Sequence, residues 1–112
     1  MIEFDTEVQD DESVVIRPRG RLNLLAAPKL REVVAQSVAQ GRARIVVDLS
    51  ATTFMDSSGL GALVAGLKSA RQGGGTLRIA CLTPQVEMVL TLTNLDRVLR
   101  PYASVEDAFG AG

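Results

Sequence analysis

The stretch FMDSSGLGALV, residues 54–64, places an acid, two serines and a glycine where an apolar helix is predicted to begin. The hydroxyls there could belong to an ordinary helix start, to a catalytic nucleophile or to a site where charge is attached. Asp56 is a good N-cap residue, and an acid near a helix N-terminus also suits the helix dipole. Capping therefore accounts for Asp56 but leaves the roles of Ser57 and Ser58 open.

Catalysis by one of these serines lacks the partners that it requires. The chain contains no histidine, which excludes a Ser-His-Asp or Cys-His site and a phosphohistidine carrier, and disfavours zinc. The obvious lysine, Lys68, lies almost three helical turns from Ser58. Asp48 and Asp56 could share a magnesium ion, but acids at strand and helix ends are more often caps and solvated loop residues. We expect no enzyme activity, no catalytic residue, no metal site and no cofactor.

A hydroxyl that is switched by phosphorylation is the remaining interpretation of Ser58. Gly59 and Gly61 each weaken a helix by roughly 0.8 to 1 kcal/mol relative to alanine, a cost that capping does not require. A phosphate on Ser58 would add about -1.5 to -2 charges, some of which free N–H groups of the helix start could accept. A partner packed beside the serine would have to bury that charge, at a cost of several kcal/mol. The surface available to such a partner is a stripe of small residues at helical spacing: Ser58, Ala62, Ala65 and Ser69.

Size and composition are those of an ordinary globular protein, and we predict a single domain over residues 1–112. The net charge is -1, and Arg42, Arg44, Arg71 and Arg78 are too scattered in the sequence to predict a face that binds nucleic acid. No segment has the length of a membrane span or the pattern of a signal peptide. Together with the single cysteine, Cys81, these features predict a cytoplasmic protein without a membrane partner. We expect a monomer or a weak homodimer.

The hydrophobic pattern predicts an α/β fold, in the sense of an α+β mixed sheet, with an N-terminal β-hairpin followed by alternating helices and strands. The helices are expected to pack on the sheet, and the last strands to be parallel neighbours. Pro18 suggests that the second strand ends, bulges or runs along an edge there. The later elements are predicted as a loop over 20–27, a helix from Pro28 to Gly41, a strand ended by Asp48, a helix over 57–72, a strand over 76–82, a helix from Pro84 to Asn94, a strand at Val98 and Leu99, and a capping box over 104–107.

Residues 43–67, ARIVVDLSATTFMDSSGLGALVAGL, resemble the core motif of the STAS domain family, most closely that of bacterial anti-sigma factor antagonists. The shared order is a strand, a DLS turn, an aromatic or aliphatic pair, DSSGLG and a helix. The opening hairpin, the G-x-L of residues 20–22 and the last strand–helix pair also follow the family layout, so the resemblance covers nearly the whole chain.

The resemblance implies a mechanism of partner switching. In the family, the serine directly before the glycine is phosphorylated by the anti-sigma factor, which is itself a serine kinase of the GHKL ATPase type. That serine corresponds to Ser58. The unphosphorylated antagonist binds the kinase and frees the sigma factor for transcription, phosphorylation breaks the complex, and a PP2C-type phosphatase restores it. ATP and magnesium are supplied by the kinase.

The motif and the small-residue stripe together predict a partner-binding surface. Many family antagonists have an acid in a G-x-L-D pattern close to the phosphorylated serine, where this chain has Asn23. Asparagine keeps the size and hydrogen bonding of aspartate without its charge, which bears on kinase docking and on the rate of phosphorylation. The predicted partner-binding residues are Asn23, Asp56, Ser57, Gly59, Gly61, Ala62 and Ala65.

An alternative function is that of a STAS regulatory or structural subunit of a larger complex, such as a lipid-transport ATPase or a stress-signalling scaffold, without sigma-factor control. The intact DSSG sequence favours the antagonist, because a purely structural subunit has no evident need of the serine. The antagonist interpretation predicts that Ser58 is solvent-exposed at the start of the 57–72 helix.

Overall fold

The strands of the computed structural model, which describes residues 2–110, form one six-stranded mixed sheet. The predicted N-terminal hairpin is confirmed: the first two strands pair antiparallel, and every later strand pairs in parallel. The strands are β1 (Glu3–Val8), β2 (Ser13–Leu22), β3 (Arg44–Asp48), β4 (Thr52–Met55), β5 (Thr76–Ala80) and β6 (Pro101–Tyr102). Their order is β1-β2-β3-β5-β6, and β4 also pairs with β2.

Strand β2 does not end at Pro18, and the loop predicted to begin at Gly20 is wrong for residues 20–22. The strand pairs with β3 as far as Ile16 and with β4 from Gly20 onward. Pro18, which has no amide hydrogen, lies in the gap between these two pairings, and its carbonyl accepts the hydroxyl of Thr52 at 3.1 Å. The predicted irregularity is present slightly later, as a register shift between Gly20 and Arg21.

Within residues 2–110, four helices cover the sheet, and three of them pack on one face of it in a shared apolar core. They are α1 (Ala27–Ala39), α2 (Ser57–Gln72), α3 (Pro84–Leu92) and α4 (Val105–Gly110). Apolar residues of α1, α2 and α3 pack with those of β2, β3 and β5. On the other face, Ala108 of α4 packs against Val46 and Ala80. The predicted bounds of α2, residues 57–72, are confirmed. The helix begins at Ser57, directly after the end of β4.

Two predicted strands near the C-terminus differ from the observed ones. The strand predicted over 76–82 ends at Ala80, and Cys81 has a positive φ of 60°. Val98 and Leu99 do not form a strand: they follow a 3-10 turn, Leu95–Arg97, and precede β6. Leu99 is nevertheless fully buried, because it packs in the core. Strand β4 was not predicted.

Two predicted helix boundaries in the same region are confirmed. Asn94 has a φ of 58° and stops α3. The hydroxyl of Ser104 accepts the amide of Asp107 at 3.0 Å, which is one of the two hydrogen bonds of a capping box. Among residues 2–110, no helix combines the length and apolar character needed to cross a membrane.

Candidate functional site

The start of α2 is fixed by the side chain of Asp56. This residue has an extended conformation, and one carboxylate oxygen accepts the amides of Ser58 at 2.9 Å and Gly59 at 3.0 Å. Its carbonyl also accepts the amide of Leu60 at 3.1 Å. Asp56 is therefore the N-cap that the sequence predicts, and the serines stand on a rigid first turn.

The cap limits one expectation from the sequence, that free N–H groups at the helix start could accept charge from a phosphate. The amides of Ser58 and Gly59 are bonded to Asp56, so they are not free to accept charge from a phosphate on Ser58. The Asp56 carboxylate lies beside the serine instead. A phosphate there would meet a like charge as well as the helix dipole.

Gly59 brings the start of α2 into contact with the end of β2. It is buried, and a Cβ at this position would overlap the carbonyl oxygen of Leu22 and lie 2.9 Å from the Leu22 Cγ atom. The same carbonyl lies 3.5 Å from the amide of Asp56. Because Asn23 follows Leu22 directly, this close approach places the loop after β2 at the same edge of the fold as the two serines.

The two serines differ in exposure. Ser57 is exposed and Ser58 is partly exposed. Within the described residues the Ser58 hydroxyl makes no hydrogen bond, and it is not among the buried polar atoms that lack a partner. Ser58 thus presents a hydroxyl that reaches solvent and contributes no hydrogen bond to the fold, although it is less exposed than expected.

The stripe of small residues and the glycines beside it divide between the core and the surface. Ala62 is fully buried in the main core, so it does not contribute a surface for direct contact with a partner. Gly59 is likewise enclosed by Leu22. Gly61 and Ala65 are partly exposed, and a Cβ on Gly61 would meet no atom within 4 Å. The accessible small residues beside Ser58 are therefore Gly61 and Ala65.

Asn23 shapes the loop that precedes α1. Its side-chain oxygen accepts the amides of Leu25 at 3.1 Å and Ala26 at 3.3 Å, a local turn that aspartate would form equally well. The turn leaves Leu24 68% and Leu25 88% exposed. This apolar pair is not among the residues predicted from the sequence, although two consecutive leucines in a predicted loop are a recognisable sign of it.

Gln85 also contributes to this region without being among the residues predicted from the sequence. Its amide oxygen accepts the backbone N–H of Met55 at 2.8 Å, and its amide nitrogen donates to the carbonyl of the same residue at 2.8 Å. The side chain thus pairs with β4 as a neighbouring strand would, and ties α3 to the residue that precedes Asp56. A lone glutamine at a helix start gives no such indication in the sequence.

Asp48 serves a structural role away from this site. Burial raises the pKa of its carboxyl, but the amide of Ser50 and the guanidinium of Arg17, each 2.9 Å away, outweigh burial and hold that pKa below its usual value. Burial and the nearby Asp48 charge raise the pKa of the Cys81 thiol. Residues 2–110 contain no group of three or more histidine, cysteine, aspartate or glutamate side chains suited to a metal ion.

Comparison with known proteins agrees with this architecture. The STAS domain model matches residues 3–108. A Thermotoga maritima protein assigned as an anti-sigma factor antagonist is 33% identical over 99 residues, 88% of each chain. The anti-sigma-B factor antagonist of Listeria monocytogenes is 30% identical over 100 residues, 88% of this chain and 86% of the other.

The solved structures that resemble this chain include the anti-sigma factor antagonist SpoIIAA. Its unphosphorylated form superposes with a TM-score of 0.82 at 25% identity, covering 97% of this chain and 95% of the other. The phosphorylated form of SpoIIAA from Bacillus superposes with a TM-score of 0.73, covering 97% and 98%. The resemblance seen in residues 43–67 is confirmed, and the chain belongs to the STAS domain family.

Proposed function

We propose that this chain is an anti-sigma factor antagonist whose binding is switched by phosphorylation of Ser58. The observation that carries the proposal is the state of that hydroxyl: it stands on the capped first turn of α2, reaches solvent and makes no hydrogen bond within the described residues. SpoIIAA, which is similar over nearly its whole length, exists in phosphorylated and unphosphorylated forms. Ser58 can therefore be modified without breaking a side-chain hydrogen bond of the fold.

The proposed partner is an anti-sigma factor that is also a serine kinase of the GHKL ATPase type. It docks on the exposed part of the α2 start, where Gly61 and Ala65 allow close approach, and on the loop that exposes Leu24 and Leu25. The kinase supplies ATP and magnesium, and a PP2C-type phosphatase reverses the modification. Binding of the unphosphorylated chain releases a sigma factor in the cytoplasm and so regulates transcription.

Phosphorylation acts on the interface in this proposal. Contact with Gly61 and Ala65 brings the partner against Ser58, so a phosphate there would be taken out of water beside the Asp56 carboxylate. Truncating or mismatching buried interface charges costs about 2 to 5 kcal/mol. By the same scale, phosphorylation weakens the complex by roughly 30- to 4,000-fold in Kd.

Two serines on one helix turn allow a matched test. We expect a kinase purified from the same cells to phosphorylate the wild-type chain and Ser57→Ala, but not Ser58→Ala, as read by mass spectrometry. Calorimetry with that kinase should then show tight binding of the wild type and Ser58→Ala. Ser58→Asp, which carries part of the phosphate charge, should bind at least about tenfold more weakly.

Phosphosite mapping on protein isolated from its own cells decides between this function and the alternative. Occupancy of Ser58 that changes between growth and stress supports the antagonist. Absence of phosphate under every condition, together with co-purification of a lipid-transport complex or a stress-signalling scaffold, would show that the chain is a subunit of that assembly instead.

A further inference from the structure

Four arginines line a surface cavity at the C-terminal end of α2, the end of the helix that is remote from Ser58. The cavity has a volume of about 380 Å³, and Arg71, Arg78, Arg97 and Arg100 line it. Along the helix axis, Arg71 lies about 20 Å from Ser58, from a rise of about 1.5 Å per residue. Arg71 and Arg78 look scattered in the sequence, and the fold brings them together with two arginines from the segment before β6. Arg42 and Arg44 do not line this cavity.

Among the described residues, no acidic side chain lines this cavity or forms an ion pair with its arginines. The residues around the cavity include no aspartate or glutamate, and the ion pairs found within residues 2–110 use Arg17 and Arg19 only. Four of the 12 basic residues of a chain with a net charge of -1 thus converge on one hollow. Like charges held together in this way repel each other, and an anion in the cavity relieves that repulsion.

The cavity also has a fixed wall, hydroxyl groups and a volume that suit a small ligand. Arg78 is held in place because its guanidinium donates to the carbonyl of Ala108 at 2.8 Å and lies 5.7 Å from the centre of the Tyr102 ring. Tyr102 and Thr76 add hydroxyl groups to the lining. The volume falls within the range of about 300 to 1,000 Å³ typical of small-molecule sites.

We propose that this cavity binds a small phosphate-bearing anion, with the four guanidinium groups as its ligands. Guanidinium groups match the oxygens of phosphate in two-point hydrogen bonds, and several of them suit two linked phosphate groups better than one. The site is distinct from Ser58, and the proposal does not depend on the antagonist function.

Titration of the full chain with inorganic pyrophosphate at low salt, followed by two-dimensional NMR and calorimetry, tests this proposal. We expect saturable binding, with shifts confined to the C-terminal end of α2, the start of β5 and residues 97–102. The double variant Arg97→Gln/Arg100→Gln should weaken binding about tenfold or more, because each guanidinium contributes charged hydrogen bonds. Lys29→Gln/Arg31→Gln on α1 makes the same change of net charge at exposed positions, and should leave the affinity within about twofold.

Three results would overturn the proposal. The first is no saturation up to about 10 mM pyrophosphate, which corresponds to negligible affinity. The second is an equal loss of binding in both double variants, and the third is tighter binding of a single-stranded oligonucleotide than of any small anion. A nucleoside diphosphate used in parallel distinguishes the source of the phosphate. Affinity equal to that of pyrophosphate assigns the site to the phosphate chain alone, and higher affinity assigns it to a phosphorylated nucleoside. Ser58→Ala should bind pyrophosphate as the wild type does.

Discussion

Alanine at Gly59 and alanine at Gly61 are expected to change stability in opposite directions. Both glycines lie in the first two turns of α2, where alanine is intrinsically better than glycine by about 0.8 to 1 kcal/mol. At Gly61 a Cβ meets no atom within 4 Å, so this gain should be realised. At Gly59 a Cβ would overlap the carbonyl oxygen of Leu22, a backbone atom that cannot rotate away.

The overlap at Gly59 outweighs the gain in helix propensity. Overpacking in a tight core costs about 1 to 3 kcal/mol, and contact with backbone places this site at the upper end of that range. After about 1 kcal/mol of helix gain is subtracted, we expect a net loss of about 2 kcal/mol for Gly59→Ala. At roughly 4 °C per kcal/mol for a domain of this size, Tm should fall by about 8 °C for Gly59→Ala and rise by about 3 °C for Gly61→Ala.

Urea unfolding followed by circular dichroism measures both free energies under the same conditions. Gly61→Ala is the control for helix propensity, because it makes the same chemical change in the same helix. A stabilised Gly59→Ala variant would refute the argument, since it would mean that the start of α2 moves away from β2 at little cost. Equal destabilisation of the two variants would show instead that both glycines are needed for a reason other than contact with Leu22.

Three further predictions concern Asp48, Gln85 and Cys81. The fold holds the pKa of Asp48 below its usual value, so the contribution of this carboxylate to stability is fully present above the unfolded pKa of about 3.9. That contribution is lost as pH falls through the folded pKa. Asp48→Asn should therefore lower the unfolding free energy at pH 7 and make it depend less on pH in the acid range. Gln85→Ala removes both hydrogen bonds to Met55 and should cost about 1 to 3 kcal/mol in urea unfolding, whereas Gln36→Ala, an exposed control on α1, should be nearly neutral. Burial and the Asp48 charge raise the pKa of the Cys81 thiol, so this thiol should react slowly with a thiol reagent at neutral pH. The reaction should be faster in Asp48→Asn. An unchanged rate would show that Asp48 does not control the reactivity of Cys81.

The elements that the sequence predicts well are those fixed by local chemistry. Helix α2 has an N-cap acid, a helical apolar period and three glycines after its end, and all of these act within a few residues of the chain. The N-terminal hairpin has an equally local origin in strand alternation and a polar turn. Capping by Asp56 could be predicted for the same reason.

The features that the sequence does not predict depend on distant parts of the chain. Strand β4 has only four residues, and pairing with the end of β2 defines it. The pair of hydrogen bonds from Gln85 exists because α3 returns to that strand. Helical spacing predicts that Ala62 and Ala65 lie on the same side of α2. It does not predict that Ala62 is buried and Ala65 is partly exposed, because that difference depends on packing against the rest of the fold.

The geometry of the cap bears on where a phosphate on Ser58 would act. The N-terminus of α2 favours an added negative charge by about 0.3 to 1 kcal/mol. The Asp56 carboxylate, already bonded to the amides of Ser58 and Gly59, repels a unit negative charge about 4 Å away by about 1 kcal/mol in water-like surroundings. These two effects are similar in size and opposite in sign, so phosphorylation should leave the stability of the fold nearly unchanged. Under the proposed function, the free energy of switching then comes from the interface with the partner, and the chain stays folded in both states.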